Sequence, residues 1–130
     1  MWNGLNKILA VGIGGFIGSI SRYLISGWIQ QFSQSGVFPW GTFFVNILGC
    51  FLIGIIGALS DGFEFFNSTI RILIMIGILG GFTTFSSFGY ESFHLIRNKE
   101  LFTAMIYMVS HFTLGIIFAW IGYTLIIPKG

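Results

Sequence analysis

Long uncharged blocks, separated by short charged or polar breaks, dominate the pattern of this chain. Between Arg22 and Asp61 lie 38 uncharged residues (23–60), between Arg71 and Glu91 lie 19 (72–90), and between Glu100 and Lys129 lie 28 (101–128). The longest block is divided by the polar stretch Gln30-Gln31-Phe32-Ser33-Gln34-Ser35-Gly36. A helix needs roughly 20 apolar residues to cross a hydrocarbon core of ~30 Å. The blocks therefore predict four spanning helices, at about 5–29, 39–60, 70–97 and 101–126. A very short connection around Asn98-Lys99-Glu100 joins the third to the fourth, and an even number of spans puts both ends on one side. Asn67-Ser68-Thr69 has the glycosylation pattern, but an asparagine just before Ile70 reads better as a helix cap.

The third block is interrupted from within, by Gly80-Gly81-Phe82-Thr83-Thr84-Phe85-Ser86-Ser87-Phe88. Adjacent glycines weaken a helix, and hydroxyl side chains find no partner in lipid. At membrane depth such a stretch survives only where protein covers it or where it lines a wet cavity. Helices broken at mid-membrane are how many transporters build ion sites. The pattern thus points to permeation and away from catalysis; no enzyme activity is expected.

Composition sharpens the class. Only 8% of the 130 residues are charged and 55% are hydrophobic, against about 25% charged in soluble domains. Residues 1–130 are expected to form a single four-helix transmembrane domain whose partner is the lipid bilayer, all-α, with no room for a soluble module. The first apolar run has one lysine before it and no convincing small-residue cleavage site, so no cleaved signal peptide is expected. A net charge of +2 gives no argument for nucleic acid. Cys50, the one cysteine, sits in an apolar segment and reads as a small packing residue.

Charge also bears on orientation. The terminal side would carry Lys7, Arg71 and Lys129; the opposite side would carry Arg97 and Lys99, with Arg22 if it reaches that face. Orientation follows an imbalance of Lys and Arg between the two sides, and here there is almost none. Such a chain can insert both ways, and opposed copies can pair as an antiparallel dimer.

Several residues stand out within the spans. Gly14 and Gly18, like Gly77 and Gly81, have the small-xxx-small spacing that lets helix backbones approach closely in lipid; such smooth faces also suggest oligomer contacts. Arg22 lies inside the first helix, about 22 Å along it from Lys7; it either snorkels to headgroups or forms a cationic vestibule that draws anions inward. Asn46, with Thr42 one turn before it, makes an interhelical hydrogen bond or points its amide donors into a pore. Phe85 and Phe88 share a face if the helix resumes after Thr84, and ring edges carry positive potential suited to a small anion. Tyr107, with Thr103 before it and Ser110 and His111 after it, forms a ladder of hydrogen-bonding groups. His94 and Glu91 fall near the end of the third helix, where water is the expected neighbour.

Three motifs in order, Gly14-Gly15-x-x-Gly18 with Arg22-Tyr23, Pro39-x-Gly41-Thr42-x-x-Val45-Asn46-x-x-Gly49, and Gly80 through Phe88, resemble those of the Fluc fluoride channels. The resemblance covers nearly the whole chain. It implies an antiparallel dual-topology homodimer in the cell's inner (plasma) membrane, with two separate narrow pores that let fluoride leave the cytoplasm passively. It implies that Asn46 gives a pore donor, that Phe85 and Phe88 give ring edges, and that Ser86, Ser87 and Tyr107 belong to a polar track with Thr42. It also implies a structural Na⁺ on the dimer axis, held by the backbone carbonyls of Gly80 and Thr83 from both subunits, with no organic cofactor. His111 falls where some members of that family have a serine, and Ser110 is the neighbouring substitute.

The chemistry agrees with that resemblance. Fluoride holds its water tightly, so a pore must offer strong donors, yet a strongly positive site would trap it. The alternative is a proton-coupled small dual-topology exporter, which needs an intramembrane carboxylate; the first helix has none. A third class, a scaffold that transports nothing, makes the aromatic pair dispensable.

Overall fold

The computed structural model describes residues 2–34, 36–64 and 66–127. Lys129 and Ser35, which figure in the charge and polarity patterns above, lie outside the described residues. Five helical elements follow in order: α1 (Trp2–Ser33), α2 (Trp40–Gly62), α3 (68–82), α4 (Phe85–Arg97) and α5 (Leu101–Ile126). Four apolar stretches are long enough to cross a membrane: Gly4–Ser33, Trp40–Gly62, Ser68–Arg97 and Leu101–Ile126. The chain is therefore an all-helical, multi-pass membrane protein with four spans, the third built from α3 and α4 together.

Local chemistry explains most helix ends. Asn67 starts α3, its Oδ1 accepting the N–H groups of Thr69 and Ile70, both at 3.0 Å; this is the helix start expected before Ile70, begun two residues earlier. The α4–α5 turn closes with Lys99 N–H to Ile96 C=O at 3.0 Å and Glu100 N–H to Leu95 C=O at 2.9 Å, with Lys99 left-handed at φ 65°. That pairing ties off the last carbonyls of α4, although glycine is the usual residue there. The first helix runs past the expected end at 29 and continues through Ser33. Polar Gln30 and Gln31 leave the membrane without leaving the helix, because glutamine is a good helix former. From there Gln30 reaches the next segment: its Nε2 donates to Phe38 C=O at 3.3 Å and its Oε1 accepts Gly41 N–H at 3.1 Å.

Glycine decides how the spans pack. Gly14 lies on the backbone of Leu73, Gly77 and Ile78, Gly18 on Ile78 and Phe82, and Gly81 on Gly15 and Ser19. A Cβ at Gly81 would stand 2.8 Å from the Gly15 carbonyl oxygen, closer than a methyl group can sit. The partners rise together in number, so α1 and α3 run parallel and nearly touch backbone to backbone. The two small-xxx-small faces expected from spacing thus meet each other inside one chain, which removes them as oligomer surfaces. On the other side, Gly54 meets Ala119 and Tyr123 while Gly122 meets Phe51 and Ile55, so α2 and α5 also run parallel. Between Ile72 and Leu79 α3 is wound wide, as a π-helix.

Few side chains are fully enclosed. Tyr107 and Val45 are the largest of them, and Phe88, Leu95 and Ala104 join Tyr107 in a small core. Large apolar side chains such as Phe16, Phe102 and Ile116 face outward, as lipid-facing positions must. Lys7 and Arg71 sit toward one end of the bundle and Arg97 and Lys99 toward the other, while Arg22, the fifth described basic residue, lies between them on Thr83.

Candidate functional site

Between α3 and α4 two residues leave helical geometry. Thr83 has φ −90° and ψ 160°, and Thr84 has φ −151° and ψ 119°. An interrupted helix releases backbone donors and acceptors that need new partners. Thr84 supplies one itself, its Oγ1 accepting the Ser87 N–H at 3.1 Å as the cap of α4. The same hydroxyl donates to Ser87 Oγ at 3.1 Å and lies 3.3 Å from Ser86 Oγ. This short cluster occupies the start of α4.

Asn46 supplies the rest from α2. Its Oδ1 accepts the Thr84 N–H at 2.8 Å and its Nδ2 donates to the Thr84 C=O at 3.0 Å, so a side-chain amide pairs with both edges of one extended residue. In a continuous helix the Thr84 N–H would serve the Gly80 carbonyl; here Asn46 has taken it. The second Nδ2 hydrogen points at His111 Nε2, 3.0 Å away. An Nε2 that accepts must carry its ring proton on Nδ1, and Nδ1 lies 3.3 Å from the Tyr107 C=O. His111 is thus neutral in one tautomer, and all three hydrogen-bonding positions that Asn46 uses are interhelical.

Arg22 follows neither of its two expected courses alone. Its Nη1 donates to the Thr83 C=O at 3.2 Å, so the cation is drawn across to the interruption instead of outward to headgroups. Glu91 is half-buried at the edge of open cavities and gains partners beyond the expected water: its Oε1 accepts from Thr42 Oγ1 at 2.7 Å and its Oε2 from Tyr107 OH at 2.6 Å. The carboxylate therefore links α2, α4 and α5. The missed signal was spacing: Glu91 lies three residues after Phe88 and seven after Thr84, on the same helix face.

Aromatic rings enclose these polar groups. Phe88 is buried, with ring centroids 4.5 Å from His111, 5.4 Å from Tyr107 and 5.7 Å from Phe85. Phe43 stands edge-on to His111 at 5.1 Å, and Phe38 edge-on to Tyr107 at 5.3 Å. Phe85, by contrast, is 76% exposed. A cavity of about 310 Å³, open on one side, is lined by Asn46, Thr83, Thr84, Phe85, Phe88 and His111 among others. A second, of about 390 Å³, includes Tyr23, Gln30, Phe38, Thr42 and Glu91. Phe88, Tyr107 and His111 stand between the two.

The structure thus sets Asn46, Phe88 and His111 on one cavity with Phe85 exposed beside them, brings Thr42 and Tyr107 together on Glu91, and ties Ser87 to Thr84 at the start of α4. Ser86 is exposed beside Thr84. Ser110 does not join the ladder expected along α5: its hydroxyl donates to the Ile106 C=O of its own helix at 2.6 Å. A serine one position from His111 points elsewhere around a 3.6-residue turn.

The sequence has known relatives over most of its length. The model of the family described as CrcB-like protein, Camphor Resistance (CrcB), matches residues 9–123. The chain is 42% identical over 123 residues to the fluoride-specific ion channel FluC of Thermus thermophilus, covering 94% of each chain. It is 38% identical over 120 residues to the protein of that name from Methylobacillus flagellatus, covering 92% of this chain and 94% of the relative. It is 44% identical over 117 residues to fluoride-specific ion channel FluC 3 of Methanosarcina barkeri, covering 90% of this chain and 87% of the relative.

Proposed function

Because the chain belongs to the CrcB-like family, we propose that it is a fluoride-selective channel, a passive pore and not an enzyme. One observation carries the reading: a line of hydrogen-bonding groups, from Asn46 and His111 through Tyr107 to Glu91 and Thr42, joins two cavities past a plug of aromatic rings. Fluoride must exchange its water for donors one after another. Asn46, Ser87, Tyr107 and Thr42 offer N–H and O–H groups, and Phe85 and Phe88 offer ring edges. Ser86 and Ser110 can join only by turning, since Ser110 is held by its own backbone. The narrow passage beside Phe88 disfavours the larger chloride. Arg22 adds positive potential at the interruption without lying on the line, which attracts anions without trapping them.

The working unit in this reading is an antiparallel homodimer of oppositely inserted copies, each contributing to one of two pores, in the cell's inner membrane. The even division of basic residues supports dual insertion. Phe85 and the open side of the cavity of about 310 Å³ support a second copy, because both would face lipid in a lone chain although Asn46, Thr83 and Thr84 are among the residues lining that cavity. The third span is then broken at mid-membrane. The carbonyls of Gly80 and Thr83 fit a Na⁺: both are hard oxygens released from helical pairing, Gly80 by the diversion of Thr84 N–H to Asn46. Thr83 would use the lone pair that Arg22 leaves. Such an ion supplies fixed positive charge at the dimer axis.

The test is ion efflux from liposomes holding the purified protein, fluoride beside chloride, with no proton gradient. Fast fluoride release without chloride is expected. Glu91 gives the exporter reading its carboxylate, and release that requires an imposed proton gradient would favour that reading.

A further inference from the structure

We propose that His111 is a proton-conditional ligand for the transported anion: neutral, it occupies the Asn46 donor, and protonated, it joins Asn46 in presenting two N–H groups to one fluoride. The inference deepens the channel reading and rests on it.

Both Asn46 hydrogens are committed, one to the Thr84 C=O at 3.0 Å and one to His111 Nε2 at 3.0 Å. The first is tied into the two-sided pairing with Thr84, whose N–H holds Asn46 Oδ1 at 2.8 Å, and cannot leave without freeing the backbone. Only the second can be given to an anion. To take it, fluoride must displace the lone pair of a neutral imidazole, and that lone pair itself repels an anion. In the neutral state the donor expected of Asn46 is therefore closed.

Proton uptake reverses the arrangement. The only ring nitrogen free to accept a proton is Nε2, because Nδ1 already gives its proton to the Tyr107 C=O. Nε2–H then confronts Asn46 Nδ2–H, and two donors cannot bond to each other. A small anion between them accepts from both, with the imidazolium charge added. Both side chains line the same open cavity of about 310 Å³, so an ion can reach them. The ring is otherwise enclosed by Phe43 of α2 and Phe88 of α4, which offer no competing acceptor. Among the described titratable and charged groups, Tyr107 of α5 faces the ring, while Glu91 of α4 is bound to the far, hydroxyl end of Tyr107. Cys50 of α2 lines the same cavity, as do Gly80 and Thr83, whose carbonyls would hold the Na⁺ proposed above. Arg22 of α1 donates to Thr83 and keeps its charge, so the cations near the ring favour uptake of the proton only together with an anion. The result is a site that takes up a proton and a fluoride together.

Two measurements test this in the full-length protein. In planar bilayers with symmetric fluoride, stepped from about pH 4.5 to about 8.5, the wild-type current should fall with rising pH, approaching about tenfold per unit above the titration range. His111→Gln, whose amide can turn an oxygen or an NH₂ toward Asn46 without any proton, should conduct with a flat profile. A conducting wild type with a flat profile, or a His111→Gln variant that keeps the slope, overturns the proposal. Absence of current from both at every pH would instead overturn the channel reading on which it rests. Independently, ¹⁵N spectra of the imidazoles at fixed pH, in a His94→Gln background, should show fluoride driving His111 toward the imidazolium while chloride does not, since linkage is reciprocal. A ring that stays neutral in saturating fluoride refutes the proposal whatever the currents show.

Discussion

Asn46→Ala removes three interhelical hydrogen bonds at once and leaves their partners behind. The Thr84 N–H and C=O lose the amide that pairs with them at 2.8 and 3.0 Å, and His111 Nε2 loses its donor at 3.0 Å. Interhelical hydrogen bonds in a membrane average about 0.6 kcal/mol each and reach about 1.7. Three of them give a loss of about 2 kcal/mol at the average and about 5 at the upper end. The upper part of that range is expected here, because Asn46 is only 9% exposed and the stranded Thr84 groups belong to a backbone with no helical alternative. About 2 kcal/mol is a roughly 30-fold shift in the folding equilibrium, readily resolved by reversible unfolding in mixed micelles. Fluoride flux from liposomes, measured on the fraction that remains folded, should also fall. A variant within about 0.5 kcal/mol of wild type would refute the argument that Asn46 holds the interruption together, even with flux abolished. Asn46 would then be a pore group alone.

Four further outcomes are expected. Asn46→Asp keeps the acceptor for Thr84 N–H but turns a carboxylate oxygen toward the Thr84 C=O and the ion path, so liposome flux should nearly vanish; near-normal flux would contradict the placement of Asn46. Phe85→Ile should leave the fold of the single chain unchanged, because the ring is 76% exposed there, and weaken only the pairing of copies, while Phe88→Ile, which loses ring contacts to Tyr107, His111 and Phe112, should lower the chain's own stability by about 1 kcal/mol; both should reduce fluoride flux, and flux unaffected by either would contradict the aromatic passage. Gly77→Val places a branched side chain against the Gly14 backbone, where even a Cβ would stand 2.9 Å from the Gly14 Cα; a monodisperse, stable protein on sizing would overturn the packing of α1 on α3. Lys99→Gly relieves a left-handed residue at φ 65° and should raise stability by about 1 kcal/mol; a lowered melting temperature would show that the lysine side chain matters more than its backbone.

The parts of this protein that one dimension could determine are those that lipid enforces locally. Without water to satisfy a backbone, an apolar block of sufficient length must be a helix, so the spacing of charged residues was enough to count the four spans. Asn67 announced a helix start because a cap acts within three residues. Gly14, Gly18, Gly77 and Gly81 announced smooth faces for the same local reason. Where those faces went was not legible: spacing says that a backbone can be approached, not by which helix, and both were used inside one chain. The partners of Glu91 and Arg22 were not legible either: depth along a helix says how near water a side chain lies, whereas the register between helices chose Tyr107 and Thr42 for Glu91 and the Thr83 carbonyl for Arg22. That register follows from glycine contacts many residues away in sequence. The bilayer acts on each segment separately and so writes its demands into composition, while hydrogen bonds between helices depend on where two rigid rods come to rest against each other, which only the packed structure decides.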